Sequence, residues 1–248
     1  LMQKQSAMKH IKAAIHDHNT WLLLVQYGCC FGVELTTSNA AALYFQEEFE
    51  LSTEAAAAVA STFGWMNLFA RGLGGFLSDI SNAYQGMRGR LRWQLLCFLL
   101  EGVFVMVFSK AKTLGGAITA LMTFSLFVQG AEGSTFGIVP YLNPNVTGTV
   151  AGLVGAGGNA GAVIFSILFR QMEYRDAFFW MGATTSVVSV LSSFVWIRGY
   201  EGLFFQRRVI PILEKKASNI NPPNTSEQAA DEDAQNHSRT YIETDPHA

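Results

Sequence analysis

The stretch AAAAVASTFGWMNLFARGLGGFLS at positions 55–78 holds one charged residue, Arg71, and runs without a break through residues that water disfavours. A hydrocarbon core takes roughly 20 apolar residues per helical crossing, so this segment reads as a transmembrane helix with an arginine inside it. The same reading extends in both directions. Stretches of comparable length with no more than one charge run from Trp21 to Phe45, Trp93 to Ser109, Thr113 to Tyr141, Val146 to Phe169 and Ala177 to Ile197. The Trp93 stretch is the shortest. With Ala55 to Ser78 they predict an all-α membrane protein of six transmembrane helices. A soluble domain would need polar faces on these helices, and they are apolar all round.

Half of the 248 residues are hydrophobic and 15% are charged, and the charges gather in short clusters between the stretches. Lys4, Lys9, Lys12, Arg88, Arg90, Arg92, Arg198, Arg207, Arg208, Lys215 and Lys216 fall on one side of a six-span topology. Only Lys110, Lys112, Arg170 and Arg175 fall on the other. The positive-inside bias then puts both termini in the cytoplasm and the Glu47, Glu48, Glu50, Glu54 loop outside. Residues 1–19 read as a cytoplasmic linker and 20–200 as the membrane bundle. Residues 201–248, poor in apolar side chains after Leu213, read as a largely disordered cytoplasmic tail. Asn145-Val146-Thr147 and Asn224-Thr225-Ser226 match glycosylation acceptors but lie on the cytoplasmic side in this topology. A net charge of −2, spread over loops and tail, gives no surface for nucleic acid. Cys29, Cys30 and Cys97 all fall inside spans, where they read as small packing residues and not as a disulfide or metal site. No cofactor is implied.

Four ionisable residues sit within the spans: Glu34, Arg71, Glu101 and Glu132. Each is a functional candidate, because a charge in the bilayer interior is costly unless it faces protein or water. Arg71 is the one cation. Its planar fork of donors suits a flat oxyanion, and the glycines around it leave room for a small ligand. The same desolvation argument also fits a structural ion pair with Glu34 or Glu132. In the fifth span, Gly152-Leu153-Val154-Gly155-Ala156-Gly157-Gly158-Asn159-Ala160-Gly161 combines small residues into a close-packing seam, with Asn159 free to bond a neighbouring backbone or a substrate. No Lys-Ser or Lys-Thr follows, so this is not a phosphate loop.

Several of these motifs, in this order, resemble the nitrate/nitrite porter family of the major facilitator superfamily, and in particular the eukaryotic high-affinity nitrate transporters. They are Phe31-Gly32-Val33-Glu34-Leu35-Thr36; Asn67-Leu68-Phe69-Ala70-Arg71 with Gly74-Gly75-Phe76-Leu77-Ser78-Asp79 and Gly86-Met87-Arg88-Gly89-Arg90; Phe127-Val128-Gln129 with Thr135-Phe136-Gly137-Ile138-Val139-Pro140; and the run Gly155 to Gly161. They are similar to the family's seventh, eighth, tenth and eleventh helices. The resemblance implies the C-terminal six-helix bundle of a twelve-helix fold, with an N-terminal half expected as its partner. It implies nitrate, and with it nitrite, as substrate, moved through the plasma membrane with protons by alternating access. Arg71 would be the second-half arginine that contacts nitrate, beside the aromatic positions Tyr27 and Phe31 and the signature residues Gly157, Gly158 and Asn159. Asp79 with Arg88 and Arg90 resembles the superfamily's gating loop, Asp79 pairing with one arginine in the outward-open state.

Uphill entry of an anion against an inside-negative potential costs about 2.3 kcal/mol per 100 mV, so a co-transported cation is needed. Glu34, which belongs to the shared motif, and Glu132, which departs from the plant pattern of an uncharged residue there, are the proton-coupling candidates. A single-span accessory protein assists some members of the family. The start at Leu1 and the missing six helices point to a piece of a longer protein. A carrier for another small anion or organic solute would share the fold. A six-span intramembrane serine protease is disfavoured because His10, His16, His18, His237 and His247 all lie outside the spans. A water channel is disfavoured because Asn143-Pro144-Asn145 is one departing copy of a motif that such channels hold twice.

Overall fold

The computed structural model describes residues 2–197 and 199–204, with side chains from residue 8 onward. Among them every regular element is helical: α1 (Met2–Ile15), α2 (His18–Phe49), α3 (Thr53–Lys110), α4 (Leu114–Leu142), α5 (Thr147–Gln171), α6 (Tyr174–Ser189) and a 3-10 turn (Val190–Phe194) that extends α6. The tail expected beyond residue 204 lies outside the described residues.

Helix starts follow the side chains that can accept from free backbone amides. Asp17 accepts from the Asn19 amide at 3.0 Å, Ser52 from Ala55 at 3.3 Å and Thr113 from Gly116 at 3.2 Å. Between α2 and α3 the chain reverses through Glu50, which takes the left-handed conformation at φ 53°.

α3 is two helices in one. Gly86, at φ 60° and ψ −157°, breaks the helical backbone where a side chain would be strained. Beyond it the chain doubles back, because the Trp93 indole donates to the Gly74 carbonyl at 3.0 Å. In an unbroken helix, 19 residues span about 28 Å. The arms 53–85 and 87–110 therefore form a helical hairpin.

Four helices are long and apolar enough to cross a membrane by length and composition: α3, α4, α5 and Tyr174–Phe194. The difference from the six expected spans has two causes. The hairpin joins the second and third stretches into one element, and α2, though 32 residues long, carries Gln26, Glu34, Thr36, Thr37, Ser38 and Asn39.

Packing uses two devices. Near the ends of α2, α3 and α6, aromatic rings interlock: Tyr44 lies 4.8 Å from Phe108 and 5.4 Å from Phe178, and Phe108 lies 4.9 Å from Phe178. Between α2 and α5, glycines replace side chains altogether. A Cβ on Gly28 would stand 3.1 Å from the Gly157 carbonyl, one on Gly32 would stand 2.9 Å from the Gly161 backbone, and one on Gly161 would overlap Gly28. The close approach needs no polar driving force, which suits helices packed in lipid. At the other end of the bundle, Asn19 bonds both backbone groups of Trp196, at 2.9 and 3.0 Å, and Gln26 bonds Ser192 at 2.7 Å, fastening the chain after α6 to the start of α2. Cys29, Cys30 and Cys97 are buried and free.

Candidate functional site

Helical spacing brings the buried polar residues together. On α2, Tyr27, Phe31 and Glu34 recur at four and then three residues, which places them on one face. Gln129, Glu132 and Phe136 share a face of α4 at three and then four residues, and Asn67 and Arg71 stand one turn apart on the first arm of α3. The three faces meet at Arg71. Its Nη2 lies 2.7 Å from Glu34 Oε2 and also pairs with Glu132, while its Nε donates to Gln129 Oε1 at 3.1 Å. Asn67 donates to the second Glu34 oxygen at 2.6 Å. Glu132 is wholly buried and the Glu34 side chain is 10% exposed, whereas the Arg71 side chain is 38% exposed. The guanidinium is thus held from behind by carboxylates and is open in front.

Of the two sequence readings of Arg71, the structure carries the ion pair. It is made with two carboxylates. One guanidinium facing two ionised carboxylates leaves the cluster with a negative charge in excess; one proton on the pair makes it neutral. That count controls what the exposed edge of Arg71 can attract.

Aromatic rings wall the cluster. Tyr27 stacks on Phe31 with centroids 5.3 Å apart and meets Phe136 edge-on at 5.0 Å. Gly158 on α5 makes room for them, since a Cβ there would lie 2.6 Å from the Phe31 ring and 2.9 Å from the Tyr27 ring. Gly157 faces Leu24 instead, and a Cβ would stand 2.6 Å from its side chain. Asn159 is not part of this cluster. It is exposed on another face of α5, its amide donating to the Gly155 carbonyl of its own helix at 3.4 Å.

The loop motif resolves into two separate contacts. Arg90, 3% exposed, donates to Asp79 at 2.5 Å and to the Gly137 carbonyl at 3.0 Å, with the Tyr141 ring centred 5.4 Å from its guanidinium carbon. Arg88 does not join Asp79. It donates to the Gly202 carbonyl at 3.3 Å and lies 3.6 Å from Glu201. The hairpin turn of α3 is thus bound to α4 by one arginine and to the segment after α6 by the other. Gly137 is glycine for a local reason: a Cβ would fall on the Arg90 guanidinium. Gly137→Ala should therefore lower the melting temperature of the detergent-extracted protein, and Arg90→Ala added to it should cost less than the sum of the two. A double-mutant cycle on thermal unfolding checks this, and full additivity would show the two residues to be independent.

Gln129, Asn67, Phe136, Gly137 and Tyr141 were not among the expected site residues. For Gln129, Asn67 and Phe136 the signal is present in the sequence: each stands three or four residues from a buried charge or from another member of the cluster. Among the described residues, no group of three or more His, Cys, Asp or Glu side chains is arranged to hold a metal ion.

No family model matches the chain. It is similar to nitrate transporter 2.2 of Chlamydomonas reinhardtii, at 36% identity over 203 residues, which is 78% of this chain and 40% of that protein. It is 40% identical over 167 residues to the high affinity nitrate transporter 2.5 of Arabidopsis thaliana, covering 67% of this chain and 33% of that one. With the nitrate/nitrite transporter NrtP of a Picosynechococcus strain it shares 34% over 186 residues, 73% of this chain and 33% of the relative. The chain spans at most about two fifths of the length of these curated relatives. Long apolar helices and these relatives together mark a multi-pass membrane protein. At 34–40% identity over 67–78% of its length to these carriers, the chain belongs to the nitrate/nitrite porter family of the major facilitator superfamily.

Proposed function

We propose that the chain is the C-terminal six-helix half of a nitrate carrier, with α2, the two arms of α3, α4, α5 and α6 as its six crossings. It supplies half of an anion site, and the complete carrier moves nitrate, with nitrite as a second substrate, by proton symport and alternating access. The observation that carries this reading is Arg71: a guanidinium open on one edge, walled by Tyr27, Phe31 and Phe136, and held by two carboxylates that compete with an incoming anion.

The competition supplies the coupling. With Glu34 and Glu132 both ionised, the cluster repels nitrate. A proton on either carboxylate frees one donor edge of Arg71 and removes the excess charge, so anion and proton enter together. Gly157 and Gly158 let α5 approach the aromatic wall, and Asn159, on an open face of α5, contributes from the side turned to the N-terminal half. Asp79 and Arg90 hold the α3 hairpin against α4 in one conformation of the cycle, while Arg88 ties it to the segment that leads into the tail. In this reading both termini are cytoplasmic, residues 1–19 link the halves, residues 20–200 are the bundle, the carrier sits in the plasma membrane, and its partners are nitrate, protons, lipid, the other half and, for some relatives, a single-span accessory protein. The chain is a carrier component and not an enzyme.

The test is uptake of labelled nitrate into vesicles holding the complete carrier, with and without a proton gradient and with competing organic anions. Glu34→Gln should make uptake independent of external pH over the range where the parent responds. Unchanged uptake with an unchanged pH profile would exclude Glu34 as the proton carrier, and failure of nitrate to enter at all would favour a carrier for another anion.

A further inference from the structure

Three of the four ionisable residues within the apolar stretches meet at Arg71. Glu101 does not. It stands on the second arm of α3 at 0% exposure, and neither of its carboxyl oxygens has a hydrogen-bond partner among the described residues. Its chain neighbour Gly102 is pressed against α6, where a Cβ would lie 2.5 Å from the Gly182 carbonyl and 2.6 Å from the Ser186 amide. The titratable groups near enough to feel the Glu101 charge are Cys29 and Cys30 on α2, Cys97 one turn earlier on its own arm, and Glu132 on α4. None is a cation, and the Ser186 hydroxyl of α6, which packs on Gly102, is itself without a partner. A desolvated carboxylate with neither donor nor counter-ion is among the least tolerated groups in a membrane interior, while the uncharged acid needs no counter-ion. Glu132 lies within electrostatic reach of Glu101, and both act on Cys30 of α2.

We propose that Glu101 is a second proton-binding site of the bundle, loaded from Glu132 when the helix movement of the transport cycle brings the two carboxyls into hydrogen-bond reach; no hydrogen bond links them in this structure. The transfer moves one proton and nothing else: the O–H bond of Glu132 breaks, that of Glu101 forms, and Glu132 is left as the carboxylate that pairs with Arg71. The proton that releases Arg71 for an anion is then kept inside the core when the ion pair closes again. The inference rests on the carrier reading above, but its first test does not need transport.

That test is labelling with dicyclohexylcarbodiimide in membranes carrying the chain. This lipid-soluble reagent adds to a protonated carboxyl. The acid proton passes to one carbodiimide nitrogen and a carboxyl oxygen bonds the carbodiimide carbon; the acyl carbon then shifts from that oxygen to the other nitrogen, the oxygen stays as the urea carbonyl, and no group leaves. Mass spectrometry should find the adduct on the Glu101 peptide, absent in Glu101→Gln and absent after a water-soluble carbodiimide. No adduct at Glu101, or equal modification by the water-soluble reagent, would overturn the proposal. In the complete carrier, Glu101→Gln should keep nitrate–nitrate exchange, which needs no net proton movement, and lose gradient-driven accumulation. Accumulation with an unaltered pH profile would overturn the proton role. If exchange is lost as well, Glu101→Asp, which retains the carboxyl, must restore accumulation, and its failure to do so would count against the proposal. A parent protein that moves no nitrate would refute the carrier reading while the labelling still decides the role of Glu101.

Discussion

Replacing Arg71 by lysine should reduce nitrate uptake by the complete carrier by about a hundredfold or more while the positive charge is kept. Arginine reaches three acceptors at once: Glu34, Glu132 and Gln129. Its donors are fixed in a plane, so holding these three still leaves one flat edge open, in keeping with the 38% exposure of the side chain. An ammonium group is a point charge with tetrahedral donors and cannot keep the same acceptors while presenting such an edge. Arg71→Gln should do more damage than this, because it strands two carboxylates. Removing one partner of a buried pair costs about 3–5 kcal/mol, whereas removing the charges together costs much less. Arg71→Gln with both Glu34→Gln and Glu132→Gln should therefore recover most of the lost thermal stability in detergent and none of the nitrate uptake. That pattern separates the structural use of Arg71 from its use as an anion site. If the triple variant regained uptake, the anion would be bound elsewhere.

Much of this arrangement was legible in the sequence, and the reasons can be given residue by residue. Apolar length alone placed α4 and α5 to within about two residues, whereas the stretches ending at Ser78 and starting at Trp93 stop about seven and six residues short of the hairpin turn, where the helical arms carry charged residues. Tyr27, Phe31 and Glu34 could be assigned to one face by counting turns. The choice between ion pair and anion site at Arg71 was unresolvable in sequence, since the partners lie on α2 and α4, more than 30 residues away in either direction. Arg88 shows the same limit. Near Asp79 in sequence, it bonds Gly202 and Glu201 across the fold instead, because the reversal at Gly86 turns the two arginines toward different neighbours. Asn159 was drawn toward the site by its place in a glycine run. Only helical phase, set by how α5 lies on α2, shows that Gly158 faces the aromatic cluster and Asn159 does not. The pairing of α2 with α5 is itself long-range, and nothing local to either helix announces it.

That phase gives the second large effect, because glycines of one run should respond in opposite ways to the same substitution. Gly161→Leu should prevent α2 and α5 from docking. Even a methyl group at Gly161 overlaps the Gly28 backbone, and the neighbouring atom is main chain, which cannot swing aside as a side chain would. Overpacking a close interface typically costs about 1–3 kcal/mol when neighbours can adjust, so a rigid contact belongs at or above the top of that range. The α2–α5 seam also positions Gly158 beneath Tyr27 and Phe31, so its loss would open the aromatic wall of the site. Gly155→Leu should leave the fold of the chain almost unchanged, as nothing lies within 4 Å of a Cβ there. Thermal unfolding and size-exclusion profiles of the detergent-extracted chain would check both. A Gly161→Leu protein as stable as the parent would mean that the two helices do not rely on backbone contact. In the complete carrier the contrast should narrow: if the open α5 face meets the N-terminal half, Gly155→Leu will impair uptake there despite being harmless to the chain alone.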